Sequence, residues 1–181
     1  MAISEATYMR VAQEDDDGKW ELVCGQLRSK PGMTMPHNNA GFMLGYQLQN
    51  QLDIRLFRVR VEAGRVRTST SYFIPDVMVL PVALMAEWAE REHDLEIYSD
   101  PLPFVAEVWS RSTGGYDIAS KVPEYQQRDD REIWRIHPYE QSLVAWRLQD
   151  DGSYIETAYQ SGDVPVLSLP GVSIRLESLF G

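Results

Sequence analysis

The strongest constraint on how this chain can fold is a pair of acidic residues set inside otherwise apolar extended runs. Asp76 interrupts YFIPDVMVL, between Tyr72, Phe73 and Ile74 on one side and Val77, Met78, Val79 and Leu80 on the other. Glu107 interrupts PFVAEVWS in the same way, flanked by Phe104, Val105, Ala106, Val108 and Trp109. Apolar runs of this length read as buried strands. A charge inside such a strand is costly unless a cation, a lysine or several hydrogen bonds compensate it. Two such carboxylates in one small chain ask for a shared explanation.

With 181 residues, 44% hydrophobic and 24% charged, the chain is expected to form one domain over residues 1–181 with a sizeable core. The net charge of -10 argues against holding nucleic acid by long-range attraction, so a local basic region would have to do so. Part of the excess acid lies in EDDDG and in EWAEREHDLEIYSD, both readable as solvated surface. No apolar stretch approaches the roughly 20 residues that span a bilayer, and the first residues carry neither a basic nor an apolar leader pattern. The expected location is cytoplasmic. Cys24, the single cysteine, excludes an intrachain disulfide and reads as a small apolar side chain in WELVCGQL.

Periodicity gives α/β (α+β) architecture, a mixed sheet flanked by helices. KWELVCGQLRSK reads as a hairpin turning at Gly25-Gln26. Leu44, Leu48 and Leu52 recur every four residues, giving a helix that Asn38 or Asn39 can cap and that ends near Asp53. IRLFRVRVEAGRVR reads as two alternating strands joined at Glu62-Ala63-Gly64 and leading into the Asp76 strand. VALMAEWAERE is a short helix, and STGGYDIASKVPEYQQRDD a helix that Pro123 must kink or delay. REIWRIH, SLVAWRLQ and SYIETAY follow as strands, and VSIRLESLFG closes with a strand and a helical turn.

Phosphodiester hydrolysis requires a positioned water and stabilisation of charge on phosphate and leaving oxygen, which a divalent cation held by carboxylates supplies. Oxygen ligands from Asp76 and Glu107 suit magnesium or manganese, and Lys121 is the lysine placed to stabilise charge or orient the water. It is one of only three lysines, with Lys19 and Lys30. The alternative for Lys121 is a surface helix pair with Asp117, four residues before it.

At these residues the chain resembles the PD-(D/E)XK nuclease superfamily, with its restriction-endonuclease-like core, and more narrowly the Uma-type family of restriction endonuclease-like proteins. The resemblance runs through WELVCGQL, PHNNAGFMLGYQL, IPDVMVL, FVAEVWSRST, DIASKVPEYQQRDDREIWRIHP and LPGVSIRLESLF, nearly the whole chain. It implies a metal-dependent endonuclease acting on DNA, with Asp76 and Glu107 as metal ligands, Mg2+ or Mn2+ as cofactor, and Lys121 and Glu21 completing the catalytic set. The superfamily pattern places its lysine two residues after the glutamate, where this chain has Trp109; the resemblance offers Lys121, on the following helix, as the migrated substitute. That departure and the acidic composition keep open a non-catalytic binding or assembly module of the same fold. A hydrolase of other phosphate esters uses the same ligands.

Arg58 and Arg60 share one strand face, and Arg65 and Arg67 another, which makes them the candidate phosphate-contacting, nucleic-acid-binding surface; an ordinary solvated face is the alternative. RSTGG, with Ser112 and Thr113, reads chiefly as a helix cap. His37, His93 and His137 never fall at metal-ligand spacing with one another, although His37 stands where it can border a cleft. Trp134, Trp146, Tyr154 and Tyr159 read as core or as the interface of a homodimer.

Overall fold

The computed structural model describes residues 2–15, 18–91, 94–111 and 114–181. Helix α1 (Glu5–Glu14), which the periodicity did not show, is capped by the Ser4 hydroxyl, an acceptor for the Thr7 amide at 3.2 Å. Strands β1 (Trp20–Val23) and β2 (Gln26–Ser29) form the expected hairpin. Its turn is Cys24-Gly25, at φ 46° and 78°, because a two-residue hairpin turn favours positive φ at both positions. Cys24 is consequently exposed at the tip and does not pack as a core residue.

Helix α2 (Met35–Gln51) starts three residues before Asn38, with Thr34 as N-cap and Pro36 in the first turn, where a missing N–H costs nothing. Then follow β3 (Phe57–Val61), β4 (Arg65–Arg67), β5 (Tyr72–Phe73), β6 (Val77–Pro81), the short helix α3 (Val82–Met85), β7 (Ile97–Tyr98) and β8 (Phe104–Val108). Helix α4 (Gly114–Tyr116) runs into a π-helical turn (Asp117–Lys121) and α5 (Val122–Gln127). Pro123 lies just past that turn; it can donate no hydrogen bond back into it, and the backbone there has the wider π spacing. The chain ends with β9 (Glu132–His137), β10 (Ser142–Leu148), β11 (Tyr154–Tyr159), β12 (Asp163–Pro165), β13 (Ser173–Arg175) and a 3-10 turn (Leu176–Leu179).

The main sheet has the order β11-β10-β9-β8-β6-β3, antiparallel except for β8 on β9. A second sheet has the order β2-β1-β5-β4-β7. The strands β3 and β4 therefore do not form the hairpin expected from their alternation. Glu62 at φ 47° and Gly64 at φ 73° carry the chain from one sheet to the other. Any side chain at Gly64 would meet the Met78 Cε at 2.6 Å.

Period-two alternation divides the core. Val77, Val79, Phe104, Ala106 and Val108 face Ala40, Leu44 and Leu48 of α2, whereas Met78, Leu80 and Val105 face Val122 and Tyr125 of α5. Close seating of α2 depends on Gly45, where a Cβ would lie 2.5 Å from the Val61 Cγ2. Each fully buried leucine contributes roughly 1.5–3 kcal/mol of transfer free energy.

Candidate active site

The alternation that fills the core also aims the two carboxylates. Val77 pairs with Ala106, and the antiparallel register carried one residue further sets Asp76 opposite Glu107, on the α5 side of the sheet. Both are 2% exposed. Asp76 stands just before β6, at the sheet end, so its carboxylate can be approached from two sides.

Lys121 comes in from the π-helical turn. Its Nζ donates to Glu107 Oε2 at 3.2 Å and lies 3.0 Å from Glu21 Oε1. Glu21, central in β1, also accepts from the Ile74 amide at 2.8 Å, which ties the second sheet to the segment leading into Asp76. Tyr125, one turn beyond Lys121, donates to Glu107 Oε1 at 2.6 Å. Asp76 accepts from the Val108 amide at 2.6 Å through Oδ2 and from Lys30 at 2.6 Å through Oδ1. All four residues singled out from sequence as catalytic, Asp76, Glu107, Lys121 and Glu21, thus share one buried cluster.

Two participants were not among them. Lys30, which the sequence places on the first hairpin, also donates from Nζ to the Ile74 carbonyl at 2.9 Å. Arg28, opposite Glu21 in the hairpin, lies with its guanidinium carbon 4.1 Å from the centre of the Tyr116 ring and lines the cleft with Ser29, Pro31 and Met33. The available signal was the scarcity of lysine: Lys30 and Lys121 both end on these carboxylates.

Burial alone would raise the Asp76 carboxyl, but Lys30 first and His37 second outweigh it and hold it well below the usual range. Burial likewise disfavours the Lys30 ammonium, and Asp76 more than restores it, so its pKa is raised. The Tyr125 hydroxyl is pushed far up by burial and by Glu107, which keeps it a donor. Asp76, Glu107 and Glu21 face Lys30 and Lys121 here, with the Arg28 guanidinium lining the same cleft. A pocket of buried carboxylate oxygens supplies the donor type that a hard divalent cation takes.

The arginines are divided by the two sheets. Arg60 is bidentate on Glu96, at 2.8 Å for its closest contact, and Arg58 donates to the Phe57 carbonyl. Arg65 donates to the Tyr8 hydroxyl at 2.8 Å and Arg67 pairs with Glu5 at 3.2 Å. Among the four, then, Arg60 and Arg67 are matched to carboxylates. His137 stacks on Trp109 with ring centroids 4.2 Å apart, and its Nδ1 accepts from the Glu140 amide. His93, Ser112, Thr113 and the Asp117 side chain lie outside the described residues.

Fold and site together define a class: a mixed α+β sheet with facing acidic residues at one end, built as in nuclease folds. A crystal structure of a putative nuclease belonging to DUF820 from Anabaena variabilis superposes with a TM-score of 0.75 over 92% of each chain at 16% identity. The chain belongs to the Uma2 family, described as putative restriction endonuclease, whose model matches residues 6–177. None of the curated proteins matches. Among the described residues no helix is long and apolar enough to cross a membrane.

Proposed function

We propose that this chain is a divalent-cation-dependent endonuclease that hydrolyses phosphodiester bonds in DNA, one domain working through Asp76, Glu107, Lys121 and Glu21. The observation that carries the reading is the facing of Asp76 and Glu107 with Lys121 held between Glu107 and Glu21. Asp76 and Glu107 would hold Mg2+ or Mn2+, and the chemistry so supplied is neutralisation of charge on the phosphate and activation of water. The protein's own contribution is positional. Glu21 and Glu107 fix the Lys121 ammonium where it can donate to an attacking water or to developing negative charge, and Tyr125 keeps the Glu107 carboxylate oriented. Lys30 keeps Asp76 ionised, and Arg28 offers the cleft a cation for a neighbouring phosphate. Arg58, Arg60, Arg65 and Arg67 remain candidates for contacts further along the strand.

The saturation of these carboxylates by the protein's own ammoniums favours one second reading, a binding module that keeps the fold without cleavage. Incubation of supercoiled and single-stranded DNA with Mg2+ or Mn2+ separates the two. Wild type is expected to nick, Asp76→Ala and Lys121→Ala to lose roughly 10²- to 10³-fold in rate. Equal nicking by all three would expose a contaminant, and cation binding without cleavage would support the module. The reading also carries a homodimer docked through the outer strands β10 and β11, where Ile155 is exposed; sedimentation equilibrium would report a monomer if that is wrong.

A further inference from the structure

The second side of Asp76 faces a different cleft. His37, in the first turn of α2, brings its Nε2 to 3.3 Å from Asp76 Oδ2. Glu62, at the corner between β3 and β4, donates its own amide to the Asp76 carbonyl at 2.9 Å, so the two backbones are tied together. One donor atom from each of His37, Glu62 and Asp76 lies within 4.8 Å of the other two. Ligands held about 2.1 Å from one ion stand roughly 3.0 Å apart at a right angle and roughly 3.4 Å apart at the tetrahedral angle. The His37–Asp76 separation falls between these limits, and the Glu62 side chain, 26% exposed, has room to close the remainder.

An independent observation marks the imidazole. His37 is 1% exposed, yet neither of its ring nitrogens has a hydrogen-bond partner among the described residues; Nε2 is near Asp76 without the alignment of a hydrogen bond. A buried histidine is ordinarily satisfied at one nitrogen at least. Here one ring nitrogen lies within 4.8 Å of a carboxylate oxygen of both Asp76 and Glu62. The cleft they border, about 270 Å3, is lined by Lys19, Asn38, Gly41 and Val61 as well, and a Cβ at Gly41 would meet nothing within 4 Å. Lys19, 47% exposed, occupies Glu62 at 2.5 Å and can swing into solvent.

We propose that His37, Glu62 and Asp76 form a second cation site, selective for a first-row transition ion such as Mn2+, Co2+ or Zn2+. One imidazole beside two carboxylates suits these ions, whereas the all-oxygen set around Glu107 suits Mg2+. The site shares Asp76 with the nuclease reading and needs no nuclease activity.

The test is titration of the full chain, stripped of metal, with CoCl2, followed by calorimetry and by the visible absorption that imidazole ligation gives Co2+. His37→Ala and Glu62→Gln are each expected to weaken Co2+ binding at least as much as the roughly 10- to 100-fold typical of losing a mere supporting residue. Glu107→Gln should leave it in place. Glu62→Gln is decisive because that side chain is partly exposed and the substitution keeps its shape, so an unchanged circular dichroism melt certifies the fold. Co2+ affinity unchanged in Glu62→Gln, or lost in Glu107→Gln alone, overturns the proposal. Intact Co2+ binding in a protein that never cleaves DNA with Mg2+ sinks only the nuclease reading.

Discussion

Arg128 and Asp130 meet at 3.1 Å where α5 gives way to β9, and the pair is as buried as Asp76 with Lys30. The guanidinium spends its remaining donors on the carbonyls of Arg67, Tyr98, Ser99 and Asp100, and the Leu102 amide reaches Asp130 Oδ1 at 2.7 Å. Charges cancel, donors are consumed and the group closes on itself, joining β4, β7 and the loop before β8. Around Asp76 the closure is incomplete: His37 has no hydrogen-bond partner among the described residues, and clefts open on both sides. Burial of charge is common to both regions. What separates a girder from a candidate site is the residue of unmet demand, here one imidazole.

Asp130→Ala is the severest way to test that contrast. It leaves Arg128 buried without its partner and is expected to cost about 3–5 kcal/mol in urea unfolding, while Mn2+ affinity of the folded fraction stays that of wild type. A loss of cation binding would erase the distinction. Lys30→Met acts in the opposite sense on the other region. Without the ammonium on Oδ1 the site is more negative, and calorimetry should find Mn2+ bound about tenfold tighter, about 1.4 kcal/mol. Weaker binding would mean that Lys30 organises the site rather than competes for it.

Acid separates the two regions by sign. Asp76 is held below its unfolded value, so its contribution is present above about pH 4 and declines as pH falls further. Burial, only partly offset by Arg128, raises the Asp130 carboxyl, so it takes up a proton in the folded state first and gains stability as pH falls towards 4. Urea titrations from pH 7 to 3.5 should show the stability of wild type relative to Asp76→Asn falling below pH 4, and that relative to Asp130→Asn rising as pH falls towards 4. Parallel curves would refute the assignment. The smallest effect is expected at Gly41 of α2. Gly41→Ala enters open space and should stabilise by up to about 1 kcal/mol, whereas Gly45→Ala strikes Val61 and should destabilise by about 1–3 kcal/mol in thermal melts.

Much of this was written into the chain. Asp76 and Glu107 stood out because charge inside apolar strands violates a strong rule, Lys121 because lysine is scarce and the family resemblance pointed to it, and Glu21 only through that resemblance; the late strands were legible because alternation there agrees with turns. Lys30 was not, since a lysine after a hairpin looks solvated until the fold closes over it. The β3–β4 pairing failed for a related reason: alternation specifies two half-buried strands and is silent on whether they share a sheet. Helix α1 left only Tyr8 and Ala12 at helical spacing, a signal too short to outweigh its polar surroundings.

Because a single aspartate closes both clefts, neither can be filled privately. A ligand that draws electron density from Oδ2 loosens the grip of Lys30 on Oδ1, and by thermodynamic reciprocity whatever engages Lys30 alters the affinity on the histidine side. One side chain thereby makes two neighbouring cavities report on each other without any movement of the backbone.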